Sequence, residues 1–598
     1  MQSRALVLAF GLLLIVCISV SPPQRVGDGH EYLAMAMNMA GFRPPALAPD
    51  DVVRIERELD RWHFSGLPLA FHHQLRDAAG RQDFFHFWFY SALAAPGIWL
   101  TEAAGLHPNY AFVWFNVLLF AGALYVVSLR LTWWATATVF CSPVLWWIDK
   151  AHTEAFTFSL LAIAFALLRE APWWSMIALA AATAQNPPIA VPLVAVAVVT
   201  LVVRQGVWRD ARFWTGALIA SALALLHPTY YQWRWGLMTP QLLQGIDFRL
   251  PTVQEWGAIL WDPNLGLLFN APFLVVTVAT AAVAVGVLAR SRLIEAEIWL
   301  SLAAAAVFLL SFAQTTNFNN GATPGMSRYG VWLIPLAISI LERASVVVSA
   351  RWQRWFASLA LASCLWSVVA FQPRQPENYC APTRAASFLW AHWPSLDNPL
   401  PEIFAERLSA AEPGLAPVAT RGCTKVLLVG GLWPVPCPPQ MVPSICAIPD
   451  ALCYANRARG GYNFVHVPPQ RRYSFEQRRT WTWNAPASGG IERVLKLVRW
   501  RDLRQIARSG PGVMLLDADK LSWTYGLESE QELLVYVRQP RQGASLTLRL
   551  PDTMVGALVN AETGDEIQPL RIEGHPSELV RLSIPPGRAV ALVLSRNR

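Results

Sequence analysis

Apolar residues gather into long runs over the first 370 or so positions, at 5–21, 111–129, 131–147, 154–168, 173–184, 189–203, 213–226, 265–288, 298–312, 329–341 and 355–371. Runs of this kind predict transmembrane helices, about eleven of them, several needing flanking residues to reach the ~20 positions that a span requires. The run at 84–100 stands apart. Counting it as a span would invert the sidedness of every later loop, so it reads as a helix lying at the outer membrane surface, with His86 and Trp88 at the boundary. Beyond 371 the pattern changes to Pro-, Arg- and Gly-rich loops and then to strict alternation, as in 544–550 and 580–584, which predicts β-strands. The expected fold class is therefore a mainly α polytopic membrane protein followed by a β-rich, sandwich-like domain. The division falls at 1–372 and 373–598.

Composition agrees with this pattern, because 54% hydrophobic and 15% charged residues over 598 positions are too apolar for an ordinary soluble enzyme. The 28 tryptophans suit a bilayer protein, since indole favours the headgroup level. A net charge of +8 raises nucleic acid as a partner, but the arginines are scattered between apolar runs and form no basic stripe, which excludes it. Arg4 ahead of the first run resembles a signal peptide, yet Val20-Ser21-Pro22-Pro23 is a poor cleavage site, and a retained span is expected.

Charge also orients the chain. With the N-terminus inside, the short inner loops hold Arg130, Arg169, Arg204/Arg209/Arg212, Arg290/Arg292 and Arg343/Arg351/Arg354, so every one is arginine-marked. An odd number of spans then puts the C-terminal domain outside, in a bacterium the periplasmic face of the inner membrane. Cys17, Cys141 and Cys364 lie in spans, whereas Cys380, Cys423, Cys437, Cys446 and Cys453 lie in the outer domain, where an oxidising compartment permits disulfides among the last four. Their spacing fits no zinc signature.

Threaded this way, polar residues converge at the outer ends of the spans: Asp28, His30 and Glu31; Asp149, Lys150, His152 and Glu154; Gln185 and Asn186; Asp262 and Asn264; Asn317, Asn319, Asn320 and Arg328. Ionisable groups at that depth are costly unless they line a watery cavity, so an outward-facing site is expected. Each has a plainer reading as well. Asp28 and Glu31 fit a helix N-cap and its reciprocal N3 glutamate, Glu154 fits a favourable charge at a helix start, and Lys150 and Arg328 fit headgroup anchors. His30 and His152 fit polar boundary residues.

Val26-Gly-Asp-Gly-His-Glu-Tyr32 after a first span resembles the opening of the GT-C superfamily of membrane glycosyltransferases, which includes protein mannosyltransferases, aminoarabinose transferases and oligosaccharyltransferases. Similar too are the stretch from His86 through Pro108 to Asn116, Ser142-Pro143 with His152-Thr-Glu154, Asp262-Pro-Asn-Leu-Gly-Leu-Leu268 with Pro272, and Asn320-Gly with Ser327-Arg-Tyr329 and Pro335. The resemblance covers about residues 1–372. It implies transfer of a sugar from a polyprenyl-phosphate donor to a glycan, lipid or protein acceptor, with Asp28 or Glu31 as catalytic base. Arg328, Tyr329, Glu154, Lys150, His152, Asp262 and Asn320 would bind substrate. Many relatives place two acidic residues side by side, whereas Gly29 and His30 separate Asp28 from Glu31. A base that takes the acceptor proton and an arginine that holds the leaving phosphate suit this chemistry, and one base without a covalent intermediate would invert the anomeric centre. No nucleotide is expected, and no cofactor is certain, although a divalent metal has room in the scheme. Other readings are a transporter or flippase for a lipid-linked substrate, and a non-catalytic assembly protein whose β domain binds envelope glycan. The first lacks a matching second half with interrupted helices; the second leaves the clustered carboxylates and Arg328 without a task.

Overall fold

A computed structural model describes residues 20–62, 80–235, 251–288, 292–312, 325–375 and 381–393, apart from isolated positions, and beyond 400 chiefly a set of strands. The run at 5–21, save its last positions, lies outside the described residues, as do Asn317, Asn319, Asn320 and the side chains of Cys380, Cys423, Cys437, Cys446 and Cys453.

The described chain opens with α1 (Gly29–Ala40), α2 (Pro49–Arg61) and α3 (Phe89–Ala103). Then come α4 (Tyr110–Ser128), α5 (Trp133–Phe140), α6 (Thr153–Leu167), α7 (Pro172–Gln185), α8 (Ala190–Val203) and α9 (Ala211–Trp235). After α10 (Val253–Leu260), α11 (Pro272–Leu288) and α12 (Arg292–Phe312) the chain continues through α13 (Gly330–Val347), whose middle tightens to a 3₁₀ turn at Ile334–Ala337. It ends its helical part with α14 (Ala350–Ala370) and α15 (Arg384–His392). One buried apolar cluster runs through these helices, from Val26 and Tyr32 to Phe356 and Ala360. The helix α3 does begin near the run expected to lie at the surface, but five residues later, and it buries Tyr90, Ala94 and Ile98 while exposing Leu93 and Leu100.

Two helices among the described residues are long and apolar enough to cross a membrane, α4 and α13, with mean hydropathy 2.0 and 1.6. Thr153–Leu167, Pro187–Val203, Pro272–Val287 and Ala296–Phe312 are apolar but shorter. The expected span at 131–147 is broken. Its helix α5 stops at Phe140, and Pro143, which has no N–H to give, opens a 3₁₀ turn over Pro143–Trp147. Eight helical residues reach only ~12 Å. The carbonyl freed at Cys141 is satisfied by Ser367 Oγ of α14 at 2.9 Å, so the break is built into the packing of α5 on α14. All residues from Cys141 to Glu154 are buried, and this internal loop carries the polar segment Asp149–Glu154.

The C-terminal part is β-rich, as its alternation predicts. Thirteen strands are described: β1 (Val418–Ala419), β2 (Lys425–Val429), β3 (Leu452–Asn456), β4 (Tyr462–His466), β5 (Arg504–Gln505), β6 (Met514–Asp519), β7 (Trp523–Glu528), β8 (Glu532–Arg538), β9 (Ser545–Arg549), β10 (Met554–Asn560), β11 (Glu566–Ile572), β12 (Val580–Ser583) and β13 (Val590–Arg596). They form antiparallel sheets ordered β1-β2-β4-β3, β11-β10-β13-β8-β7-β5 and β12-β9-β6. Leu546 and Leu548 of β9 share one buried core with Leu533, Val535, Leu558, Leu592 and Leu594 of the six-stranded sheet, the inward half of each alternating pattern.

Candidate functional site

Three separate stretches meet at the start of α1. Gly27 has φ +45°, a left-handed conformation that glycine adopts without cost, and Gly29 lies so close to the Ala151 carbonyl that a Cβ there would stand 3.0 Å from it. The Gly-Asp-Gly sequence thus lets the α1 entry press against the internal loop before α6. Asp28 occupies the N-cap position, yet its side chain makes no capping bond, which corrects the capping reading. It turns instead toward His86 Nε2 at 3.3 Å and Arg328 Nη1 at 3.5 Å.

His86 is held between two carboxylates, because its Nδ1 lies 2.8 Å from Glu31 Oε2 on the other side. Burial works against its charge, but Asp28 and Glu31 outweigh burial and raise its pKa to about 9. Burial likewise pushes the Asp28 carboxyl up, and the charges of His86, Arg328 and His152 more than offset it, leaving the group below its usual range. Asp28 and Glu31 differ in access: 35% of the Asp28 side chain is exposed against 1% for Glu31. Among the described residues, ligand atoms of Asp28, Glu31 and His86 lie within 4.8 Å of one another, so this trio could hold a divalent cation, with two hard oxygens and one imidazole nitrogen.

Arg328 precedes α13 and reaches back to the same place. Its Nη1 lies 3.3 Å from His152 Nε2 and its Nε 3.7 Å from Glu154 Oε1. Arg328 thus meets one ring nitrogen of His152, while the other, Nδ1, faces both Glu154 and the Thr153 N–H. Glu154 is therefore more than a favourable charge at the start of α6. Tyr329 stacks on Phe312 with ring centroids 4.4 Å apart and lies under the guanidinium of Arg328 at 5.2 Å. Tyr32 completes the floor, its ring 5.4 Å from that of His86 and 5.9 Å from that of His152.

Other expected site residues are placed elsewhere. Lys150 is fully enclosed: Nζ bonds Asp149 at 2.6 Å and the Pro373 carbonyl, and sits 4.3 Å over the Trp146 ring. This rules out a headgroup anchor and keeps Lys150 out of the cluster. Asp262 folds its own turn, accepting from the N–H groups of Asn264 and Leu265 at 2.7 and 3.0 Å, and burial together with Asp397 raises its pKa to about 7. Gln185 bonds the Tyr90 N–H and the Phe87 carbonyl, and Asn186 bonds Thr157, so both serve packing. Asn320 lies outside the described residues. Sequence reasoning placed His86 at a membrane boundary and missed it as a site residue; its one signal was its place in the His86…Tyr90 stretch. It also missed Asn116, which accepts from Tyr90 and donates to the carbonyls of Ile148 and Lys150, holding the internal loop.

No model of a known protein family matches the chain, and no curated protein matches it. Among solved structures it matches the crystal structure of ArnT from Cupriavidus metallidurans in the apo state, at 16% identity and a TM-score of 0.35. The match covers 59% of this chain and 61% of the ArnT chain.

Proposed function

We propose that the chain is an inverting glycosyltransferase of the GT-C type that takes a sugar from a polyprenyl-phosphate carrier and passes it to an extracytoplasmic glycan, lipid or protein. Residues 1–372 would form the membrane domain, with about eleven spans by the length argument, and 373–598 an outer β domain. The observation that carries this reading is a solvent-reached carboxylate beside a guanidinium: Asp28 at 3.5 Å from Arg328. A base and a leaving-group partner are thus present in one place, and an inverting displacement would set the sugar between them, acceptor hydroxyl toward Asp28 on one face and phosphate toward Arg328 on the other.

Asp28 takes the acceptor proton, since it alone of the two candidate carboxylates is well exposed. Glu31 acts through His86, holding the imidazolium against Asp28. His152 and Glu154 fix Arg328, leaving its planar fork to meet phosphate oxygens. Donor and base are coupled electrostatically. A carrier phosphate on Arg328 competes with Asp28 for the same cation, which removes one influence that lowers the Asp28 pKa and makes it a stronger base as the donor arrives.

Binding of a polyprenyl-phosphate analogue to the purified protein tests the reading. Arg328→Lys keeps the charge but loses the fork, so it should bind more weakly, and Arg328→Ala more weakly still. Parent-like binding by Arg328→Ala would end the phosphate role. Lys150, enclosed by Asp149, the Pro373 carbonyl and Trp146, could not take the role over.

A further inference from the structure

The helix α6 carries Glu154 at one end and Arg169 just past the other, so a second polar region lies one helix length, ~22 Å, from the Asp28 cluster. There a cavity of about 400 Å³ opens between α6, α8, α12 and α13. Arg169, Arg204 and Arg343 line it together with Glu297 and Glu342. None of the three guanidinium groups closes an ion pair within 4.0 Å on either carboxylate, and the buried Nε of Arg343 has no hydrogen-bond acceptor among the described residues. Five opposed charges around an open volume, without direct pairing, leave both signs to be matched by a third party.

The rim indicates what that party is. Val203 and Val346 belong to the lining and are 43% and 70% exposed, and Trp299, next along α12, is 66% exposed. Apolar side chains that face outward beside a charged cavity suit an amphiphile, and exposed indole favours the headgroup level of a bilayer. Three arginines meet a phosphodiester and two glutamates meet an ammonium group. We propose that this cavity binds the headgroup of an aminophospholipid, its phosphate toward the arginines and its amine toward Glu297 and Glu342, with the acyl chains along Val203 and Val346. The site is separate from the transfer chemistry and stands whether or not that reading does.

Native mass spectrometry of the full chain in detergent, titrated with phosphatidylethanolamine, phosphatidylglycerol or inorganic phosphate, tests it. Phosphatidylethanolamine should be retained one to one and in preference to phosphatidylglycerol. Arg204→Ala combined with Arg343→Ala should cut retention at least about tenfold, the loss of charge-assisted bonds to phosphate. Glu297→Gln with Glu342→Gln should keep lipid binding but erase the preference for the amine. Val199→Trp fills the cavity without changing charge, and it should also lose the lipid, which covers the case of an arginine variant that fails to fold. Unchanged retention in the arginine pair or in Val199→Trp would overturn the proposal. Displacement of the lipid by millimolar inorganic phosphate would overturn it too, since the cavity would then be a soluble-anion site.

Discussion

Asp28 sits at a helix start without capping it, so its replacement should remove chemistry and leave the fold nearly untouched. Asp28→Asn is expected to lower sugar transfer by roughly 10²–10⁴-fold, the range of a general base, with only a small drop in melting temperature from the lost pairing with His86 and Arg328. Glu31→Gln should do less damage to transfer but loosen His86; if it proves the dead variant while Asp28→Asn stays active, the base is Glu31. His86 gives a pH signature. Its folded pKa of about 9 lies above the unfolded value of 6.5, so its stabilising contribution is full below pH 6.5 and is lost as pH rises toward 9. Thermal melts of parent and His86→Gln, taken with a chelator present, should therefore differ most at low pH and converge above pH 9. At this scale the sequence was informative where charge is costly: Asp28, Glu154 and Arg328 were expected near one another, and Arg328 lies 3.5 Å from Asp28 and 3.7 Å from Glu154. It named Lys150 and Asp262 for substrate but not how they are held, because several of their partners are backbone groups, the Pro373 carbonyl and the N–H groups of Asn264 and Leu265, which residue identity does not announce.

At the scale of elements, the end of α9 is clamped to the stretch before α3. Asp83 accepts from Arg234 Nε and Nη2 at 3.0 and 2.7 Å, from Trp235 Nε1 at 3.1 Å and from the Tyr230 hydroxyl, while Tyr231 bonds the Phe84 carbonyl. Burial is the main influence on Asp83 and raises its pKa despite Arg234. Removing one partner strands a buried charge, so Arg234→Ala should cost about 3–5 kcal/mol of stability, and Asp83→Asn in that background should recover part of it, as chemical denaturation would show. This clamp reaches the site through the chain, since His86 follows Asp83 by three positions. Parent-like stability of Arg234→Ala would mean that α9 holds its place by apolar packing on α7 alone. Hydropathy located most helices, but it could not show that the run at 131–147 breaks. The break depends on Ser367 of α14 accepting the role of partner to Cys141, a contact distant in sequence.

The described residues are helical as far as His392 and β-stranded from Val418 on, and the change of periodicity along the sequence announced the β-rich part. Strand 544–550 was read correctly since every second residue, Leu546, Leu548 and Leu550, is buried. The proposed eleven-span count rests on the apolar runs and the outer placement of the C-terminus on loop arginines, and topology reporters fused after Phe371 test the outcome. An exported reporter should be active there and a cytoplasmic one silent; the reverse would reject the topology. Two of the described helices meet the test of both length and hydropathy, and several other apolar helices are shorter, one of them preceded by the proline-led turn at Pro187–Ile189.

Arg328 finds its partner His152 across 176 residues of chain, and Asp28 lies further off still. During synthesis, then, the constellation does not exist until translation has passed α12 and the segment before α13 has come home. A nascent chain halted earlier holds its carboxylates and His86 but not the guanidinium, so on the proposed mechanism it lacks the group that would grip a carrier phosphate. Competence arrives late and all at once, as a property of the finished fold rather than of any segment that is inserted first.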